Sequence, residues 1–294
     1  MNTAVLCGGT GFVGRHLGGR LEKLGWRVVS LGRSSDEKEL ETVLHEANLV
    51  FHLAANIAVQ KSLEDPESFI RENTEVTLKI VRCLRKNERK LPVCYLSSDR
   101  IYGSSRERVT EETLPSPIDP YGASKLISEE ILRAYSQCYG IPVVVIRASN
   151  LYGPRQRPIQ LIPSLINELK KGTKKTKVGN LSVRRNFLYI DDLMEGVLRI
   201  IQHGSPQGET FQVWNLSGEE CEMTEIVRLI QELSKKIWGH SIEIESHPSL
   251  FRPEKDQVGG NISYDKAKKI LDWHPQVGLR EGIERTLEIE RELP

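Results

Sequence analysis

The chain has 294 residues, enough for one α/β core with a smaller attached region. Its 41 Lys and Arg residues nearly balance its 40 Asp and Glu residues, which excludes a strong overall field that would attract nucleic acid or an anionic membrane. No apolar run approaches the roughly 20 residues that cross a bilayer, and no signal-peptide pattern precedes the first glycines. We therefore expect a cytoplasmic protein with neither a membrane nor a nucleic-acid partner.

Short β-rich apolar runs alternate with helical patterns up to about residue 147. This alternation predicts an α/β fold built on a Rossmann-type, doubly wound parallel sheet. The predicted strands are 4–7, 27–31, 49–53, 93–96 and 142–147, and the predicted helices are 12–24, 36–46, 66–86 and 121–139.

After residue 152 the sequence becomes rich in Pro, Gly, Arg and Lys in loops. The predicted helices there are 161–171, 191–202, 224–236, 265–271 and 279–292, with short strands near 211–214 and 241–245. We expect a dinucleotide-binding domain of residues 1–152, with returning segments from about 180–215, and a smaller C-terminal α/β substrate-binding lobe formed mainly by 153–294.

The cysteines and histidines show no pattern that binds a metal. Five cysteines are far apart and odd in number, and they contain no CxxC pair: Cys7, Cys83, Cys94, Cys138 and Cys221. The seven histidines show no metal-ligand spacing either. We expect no metal site and no disulfide framework, with the thiols buried as small apolar groups.

Three glycines of the run GGTGFVG, Gly8, Gly11 and Gly14, follow the first predicted strand and open the first predicted helix. A backbone without Cβ atoms turns tightly and comes close to a pyrophosphate, whose charge then lies at the N–H groups of the helix N-terminus. The position between strand and helix indicates a dinucleotide-binding loop.

The end of the second strand bears on which dinucleotide is preferred. A carboxylate there accepts from a ribose 2′-OH, but this chain has Gly32 at that place, followed by Arg33 and the hydroxyls of Ser34 and Ser35. A guanidinium fork suits a 2′-phosphate, so NADP(H) is favoured and NAD(H) remains the alternative, with Arg33 then a solvated turn residue. Only residues 34–47 precede the next strand, so the short strand with an adenine-contacting acid is shortened or missing.

Tyr121 and Lys125 lie four residues apart at the start of a predicted helix, on one face. An ammonium group favours the phenolate and lowers the pKa of the phenol, which then gives or takes a proton at a carbinol oxygen. Ser98 ends a strand at the same edge of the sheet. The alternative is a Tyr and a Lys on a solvated helix face, but five positions each follow a different predicted strand at the edge where ligands bind: Gly8, Arg33, Ala54, Ser98 and Asn150.

Over nearly its whole length the chain resembles the extended short-chain dehydrogenase/reductase family, the group of nucleotide-sugar epimerases, dehydratases and reductases. The motifs are GGTGFVG, HLAA at 52–55, Asn73, SSDRIYG at 97–103, YGASK at 121–125, RASNLYGP at 147–154, RRNFLYIDD at 184–192 and the segment 251–275.

The resemblance implies particular site residues. The implied catalytic residues are Ser98, Tyr121 and Lys125. The implied cofactor contacts are Gly8, Gly11, Phe12, Val13, Gly14, Arg33, Ser34, Leu53, Ala54, Ala55, Asn73, Tyr121 and Lys125. The implied contacts of a nucleotide-diphosphate sugar are Ser98, Asp99, Arg100, Asn150, Arg185 and Arg252. Guanidinium forks and amide donors suit its two phosphates.

The residues after Ser98 bear on the reaction. Family members that are 4,6-dehydratases typically place a carboxylate pair or a glutamate there, whereas this chain has Asp99 and Arg100. Together with Arg33, this favours an NADPH-dependent 4-ketoreductase of a nucleotide-linked 4-keto-6-deoxy sugar, in line with a similarity to GDP-4-keto-6-deoxymannose reductases at 179–180 and 252–254. The main alternative is a 4-epimerase with bound NAD, followed by a 4,6-dehydratase and a non-catalytic dinucleotide-binding protein.

The apolar residues at helical spacing in 66–86 allow two interpretations. They belong to the core, or they pair with a second copy together with helix 121–139, as the family often does. We expect a homodimer.

Overall fold

Strands and helices alternate along the computed structural model, which describes residues 1–87, 89–105, 107–204, 209–251 and 261–293. The strands are β1 (Thr3–Cys7), β2 (Arg27–Leu31), β3 (Leu49–His52), β4 (Val93–Ser98), β5 (Arg108–Val109), β6 (Val143–Ala148), β7 (Asn150–Tyr152), β8 (Lys175–Val178), β9 (Arg184–Tyr189), β10 (Phe211–Leu216), β11 (Glu219–Glu222), β12 (Glu243–Ser246) and β13 (Asn261–Ile262). The helices are α1 (Phe12–Lys23), α2 (Glu37–Leu44), α3 (Val59–Glu64), α4 (Pro66–Lys86), α5 (Pro120–Tyr139), α6 (Leu161–Lys170), α7 (Ile190–His203), α8 (Met223–Trp238), α9 (Asp265–Leu271) and α10 (Leu279–Glu292).

Six parallel strands form the main sheet in the order β10-β6-β4-β3-β1-β2. The chain runs outward from β1 to β2 and then returns to β3 on the other side of β1. The strand order therefore reverses between β1 and β3, where open α/β sheets hold ligands at the carboxyl ends of their strands. The expected fold class is confirmed.

β2 is the edge strand of this sheet. Residues 32–48 connect it to β3 and contain α2 and no strand. The expectation that the short intervening strand is shortened or missing is therefore confirmed, because α2 is the only element in that connection.

Both faces of the sheet are covered. On one face, α2, α4 and α5 bury apolar side chains against β1, β3, β4 and β6. On the other, α1 and α7 belong to a continuous core that extends through α6, α8, α9 and α10. Because β10 pairs with β6 in register Phe211 to Val143, the chain returns to the main sheet before it forms the C-terminal helices.

The apolar stripe of α4 lies in the core of this chain. Val76, Ile80, Val81 and Leu84 are all buried between α4 and the sheet. This excludes the alternative that these four side chains pair with a second copy.

Sequence patterns predicted the long elements closely. Helices 66–86, 265–271 and 279–292 and strand 27–31 have the predicted bounds. Helix α3 and the short strands β5, β7, β8, β9, β11 and β13 were missed. The missed strands pair with strands that are distant in the chain, as β11 does when it runs antiparallel to β9. Some also have polar sequences with little alternation, such as KTKV in β8.

The cysteines follow the prediction with one exception. Cys7, Cys83, Cys94 and Cys221 are buried, whereas Cys138 is exposed near the end of α5. Among the helices that the structure describes, we found no segment with the length and apolar character that crossing a bilayer requires.

Candidate active site

The glycine loop between β1 and α1 is shaped by close backbone contacts. Gly8 has a φ of +96°, and a Cβ atom there would lie 2.6 Å from the Ala54 nitrogen in the loop after β3. A Cβ atom on Gly14 would lie 2.4 Å from the Gly8 carbonyl oxygen. A Cβ atom at either position would collide with backbone atoms, so glycine allows the loop after β1 to pack closely on the loop after β3 and on the start of α1.

The N-terminus of α1 follows this loop directly. Gly11 is its N-cap and has no side chain to satisfy the first N–H groups, which belong to Phe12, Val13 and Gly14. Free N–H groups at a helix N-terminus bind anions. The glycine loop and this uncapped helix end fit the pyrophosphate of a dinucleotide.

The loop after β2 carries the residues predicted to distinguish the two dinucleotides. Arg33 lies there with Ser34 and forms an ion pair with Glu72 of α4 at 3.3 Å, with about half of each side chain exposed. Lys79, two turns further along the same face of α4, donates a hydrogen bond to the Ser35 carbonyl oxygen at 2.7 Å. Sequence reasoning found Arg33 but missed Glu72, whose place beside it depends on how α4 crosses the sheet.

Asn73 supports the loop after β3 from inside the protein. Its amide oxygen accepts from the Asn56 N–H at 2.7 Å, and its amide nitrogen donates to the Asn56 carbonyl and to Ser124 Oγ. Leu53 donates its N–H to the Cys7 carbonyl at 2.8 Å, and Ala54 and Ala55 follow it. Asn73 therefore positions the predicted cofactor loop rather than presenting a free amide to it.

Ser98, Tyr121 and Lys125 lie together at the carboxyl edge of the sheet. Ser98 ends β4. Its hydroxyl donates to the Asp99 carboxylate at 3.1 Å and is close enough to Tyr121 to lower the pKa of the phenol. Tyr121 and Lys125 lie in the first turns of α5 and are only 9% and 4% exposed. The Asp119 carboxylate caps α5 by accepting from the Gly122 N–H at 2.7 Å, which fixes the start of the helix and the direction of Tyr121.

The pKa of Tyr121 differs from the sequence-based expectation. Burial raises it to about 12, and the hydrogen bond with Ser98 opposes that rise. The ammonium of Lys125 is directed away, donating to the Leu96 carbonyl at 2.7 Å and lying 4.9 Å from the centre of the Tyr95 ring. Burial also lowers the pKa of Lys125 to about 7. Desolvation thus outweighs the expected lowering of the phenol pKa by Lys125 in this structure.

Asp99 and Arg100 follow Ser98 in a one-turn 3-10 helix, Asp99–Tyr102. Burial raises the pKa of Asp99, while the positive charges of Arg100 and Arg185 oppose that rise. The Arg100 guanidinium forms a buried ion pair with Asp119. Arg185, in β9, is therefore near enough to Asp99 to act on its charge.

The remaining predicted substrate contacts lie on β7, β9 and the C-terminal segment. Asn150 begins β7 and donates its amide to the Asn186 carbonyl at 3.0 Å, while Arg185 donates to the Arg184 carbonyl at 3.0 Å. Arg252 lies outside the described residues. Asn150 and Arg185 are thus held on neighbouring parallel strands.

A buried polar network lies beneath Lys125, and sequence reasoning missed it. Glu129, one turn along α5, pairs with Arg147 of β6 at 2.8 Å and accepts a hydrogen bond from Ser97. Arg147 also donates to the Tyr102 hydroxyl at 2.8 Å. The signal was a Lys and a Glu four residues apart on a helix face that also carries serines and is buried. The network ties α5 to β4 and β6 and thereby fixes the floor of the site.

Glu37, Glu41 and Cys83 offer three ligand atoms within 4.8 Å of one another. Both carboxylates are paired, however, Glu37 with Arg82 and Glu41 with Lys86. Burial raises the pKa of the Cys83 thiol to about 11, and a thiol binds metals as the thiolate. These contacts suit a structural role at the α2–α4 contact.

The family model described as the NAD dependent epimerase/dehydratase family matches residues 4–216. The chain belongs to this family and is an enzyme of the extended short-chain dehydrogenase/reductase class, which confirms the sequence resemblance.

Three similar proteins illustrate the range of this class. Human dTDP-D-glucose 4,6-dehydratase is 33% identical over 249 residues, which span 83% of this chain and 69% of the human protein. Thermus thermophilus UDP-glucose 4-epimerase in complex with NAD has a TM-score of 0.86 at 25% identity, over 99% of this chain and 100% of that one. RMD from Pseudomonas aeruginosa, complexed with NADPH, has a TM-score of 0.84 at 25% identity over 100% of both chains.

Proposed function

We propose that this protein is an oxidoreductase that acts at C4 of a nucleotide-linked hexose with a nicotinamide dinucleotide. One observation carries the proposal: Ser98, at the end of β4, lies beside the buried Tyr121 at the carboxyl edge of the sheet. The glycine loop follows β1 at the same edge. The names of the similar proteins support a nucleotide sugar as the substrate class.

In the proposed reaction the carbinol at C4 loses its C–H hydrogen as a hydride and its O–H hydrogen as a proton. When bound, the nicotinamide ring supplies the hydride acceptor or donor. Tyr121 takes the C4 hydroxyl proton as the carbon is oxidised and returns it as the ketone is reduced. Ser98 would turn its hydroxyl from the Asp99 carboxylate to the same oxygen, and Lys125 would hold the nicotinamide ribose. Because burial raises its pKa to about 12, Tyr121 rests as a phenol. It would have to release its own proton to solvent before it accepts the C4 proton, and the positive charge of a bound oxidised nicotinamide would favour that release.

The nucleotide diphosphate would lie between the two lobes. Asn150 and Arg185 project from neighbouring strands β7 and β9, and Arg252 is proposed as a third contact from the C-terminal segment. An amide and guanidinium forks suit two phosphates at fixed spacing.

We take a 4-epimerase that retains NAD as the first candidate reaction. Glu72 holds a carboxylate against Arg33, and this negative charge opposes a 2′-phosphate at the same place. Arg100, which is paired with Asp119, stands where 4,6-dehydratases typically have a second carboxylate next to the one at Asp99. This argues against elimination of water.

The second candidate is an NADPH-dependent 4-ketoreductase of a nucleotide-linked 4-keto-6-deoxy sugar. The Arg33 guanidinium, about half exposed, favours it together with the Ser34 and Ser35 hydroxyls of the same loop. In this reaction a 2′-phosphate replaces Glu72 as the partner of Arg33.

The cofactor released from the purified protein distinguishes these candidates. The protein is denatured, any dinucleotide is identified by mass spectrometry, and the native protein is incubated with UDP-glucose and dTDP-glucose while products are separated by chromatography. Stoichiometric NAD and formation of the C4 epimer support the epimerase. An empty protein that prefers NADPH and reduces a dTDP-4-keto-6-deoxy sugar supports the ketoreductase. Binding of a dinucleotide without turnover of any of these sugars contradicts the proposal.

Tyr121→Phe is expected to lower kcat by about 100-fold or more, since a positioned acid–base group contributes about that factor. The substitution removes the hydroxyl and keeps the ring, which packs edge-on against Phe69 with centroids 6.3 Å apart. The matched control is Tyr139→Phe at the exposed end of the same helix, which should keep full activity. Near-normal turnover by Tyr121→Phe would overturn the acid–base assignment.

A further inference from the structure

The one-turn helix Asp99–Tyr102 packs directly on the first turn of α5. Ser98 begins the turn, with its Oγ accepting from the Arg100 N–H at 3.2 Å. The Arg100 carbonyl oxygen lies against Gly122, where a Cβ atom would be 2.6 Å away. No side chain fits between the two backbones, so the turn and the helix that carries Tyr121 are held in fixed contact.

The guanidinium of Arg100 crosses this contact to the carboxylate of Asp119. The two side chains are only 14% and 4% exposed. Asp119 uses its other oxygen to cap α5 at the Gly122 N–H. Charges so far removed from water are weakly screened, and removal of one partner leaves the other desolvated.

Charged groups face the Tyr121 phenol from both elements. From the turn and the N-cap of α5 they are Asp99, Arg100 and Asp119. Lys125 lies one turn along α5 with its ammonium on the Leu96 carbonyl. From α4, the uncharged ring of Phe69 contacts the tyrosine, and from β9, Arg185 acts on Asp99. Two carboxylates and one guanidinium therefore lie around a single buried phenol.

We propose that Arg100 is a positioning residue for proton transfer at Tyr121: it balances the carboxylates of Asp119 and Asp99 beside the phenol and holds their turn against α5. The inference rests on the proposed acid–base role of Tyr121.

The electrostatic directions agree with this geometry. Asp99 and Asp119 raise the pKa of Tyr121, whereas Arg100 lowers it, because a negative neighbour disfavours the phenolate and a positive neighbour favours it. Loss of Arg100 would leave two buried carboxylates against the phenolate. An arginine suits the position because its planar fork pairs with a carboxylate while its charge stays permanent.

The test uses opposite charge changes at the two partners. Arg100→Gln removes the cation, Asp119→Asn removes the anion and keeps an N-cap residue, and a third variant combines both. Each is made with and without Tyr121→Phe, so that subtraction isolates Tyr121 from the other seven tyrosines. Phenolate absorbance is titrated against pH on the full protein with NAD bound. Arg280→Gln, which removes the cation of an exposed ion pair with Glu232 on the surface, is the matched control.

The expected shifts have opposite signs. Arg100→Gln should raise the pKa of Tyr121 by about one unit, Asp119→Asn should lower it by about one unit, and the double variant should return it close to the wild-type value. Arg280→Gln should leave it unchanged. Shifts in the same direction, or none, would overturn the proposal, since a purely structural disturbance has no reason to change sign with the charge removed. If Arg100→Gln does not fold, the other two variants test the proposal. A downward shift of the Tyr121 pKa in Asp119→Asn that is reversed in the double variant supports it, and the absence of either overturns it.

The kinetic test of Tyr121→Phe is independent of this titration. Opposite shifts in a protein whose Tyr121→Phe variant still turns over would keep the role of Arg100 at the phenol and reject the acid–base function. Loss of turnover without the opposite shifts would keep that function and reject the role of Arg100.

Discussion

Arg33 and Glu72 illustrate how a single contact changes the meaning of a residue. The guanidinium after β2 favours a 2′-phosphate when the sequence alone is considered. In the structure it already has an anionic partner on α4, at 3.3 Å and half exposed. A dinucleotide phosphate has to displace that partner, so Glu72 opposes NADP(H) and the preference depends on both residues.

Glu72→Gln is therefore expected to tighten NADPH binding by about fivefold, because an exposed ion pair contributes a free energy of about that size. NADH binding should remain nearly unchanged. Fluorescence titration of the apo protein with each dinucleotide measures this. Glu75→Gln, which affects the neighbouring pair with Arg82 on the same helix, is the matched control and should change neither affinity. Equal changes for both dinucleotides would contradict a role at the 2′ position.

At the scale of elements, the glycine loop and α1 act as one unit. The loop is tightly wound because Gly8 and Gly14 lie close to other backbone atoms, and α1 presents uncapped N–H groups because Gly11 is its N-cap. Two helical glycines of α1 differ sharply in their surroundings. A Cβ atom on Gly14 would lie 2.4 Å from the Gly8 oxygen, whereas one on Gly19 would meet nothing within 4 Å.

Gly14→Ala should weaken dinucleotide binding by about tenfold or more, because the loop must shift to admit the methyl group. Gly19→Ala should keep the affinity and raise the free energy of unfolding by about 0.5–1 kcal/mol through helix propensity. Dinucleotide titration and thermal unfolding of both variants measure these effects. A Gly14→Ala protein with wild-type affinity would show that the glycine loop does not hold the pyrophosphate.

At the scale of the whole molecule, one continuous core extends from Leu6 of β1 to Leu287 of α10. The surface near the α4–α5 contact exposes an apolar side chain of α5 and none of the α4 stripe. The apolar stripe of α4 is buried within the chain, while Ile127 of α5 is 40% exposed. A homodimer that uses this face would bury Ile127 rather than the α4 stripe.

Ile127→Glu should convert a dimer to a monomer, because a carboxylate buried in such a contact has no partner. Sedimentation velocity across a range of protein concentrations measures the change. Ile289→Glu, at a similarly exposed isoleucine of α10, is the control and should remain dimeric. A wild-type chain that is monomeric at every concentration would show that the expectation of a homodimer is wrong.

The sequence alone determined the doubly wound sheet, most helix bounds and the grouping of Ser98, Tyr121 and Lys125. It could do so because periodicity, glycine spacing and i to i+4 placement are local properties of a chain. The absence of a strand between β2 and β3 was likewise visible as a short connection.

Tertiary structure alone decided which charges meet. The pairs of Arg33 with Glu72 and Arg100 with Asp119 join residues 39 and 19 positions apart, and the high pKa of Tyr121 comes from burial that no local pattern encodes. Desolvation and long-range pairing depend on which elements the fold packs together. The reaction is therefore constrained by contacts that exist only once α4 and α5 lie against the sheet.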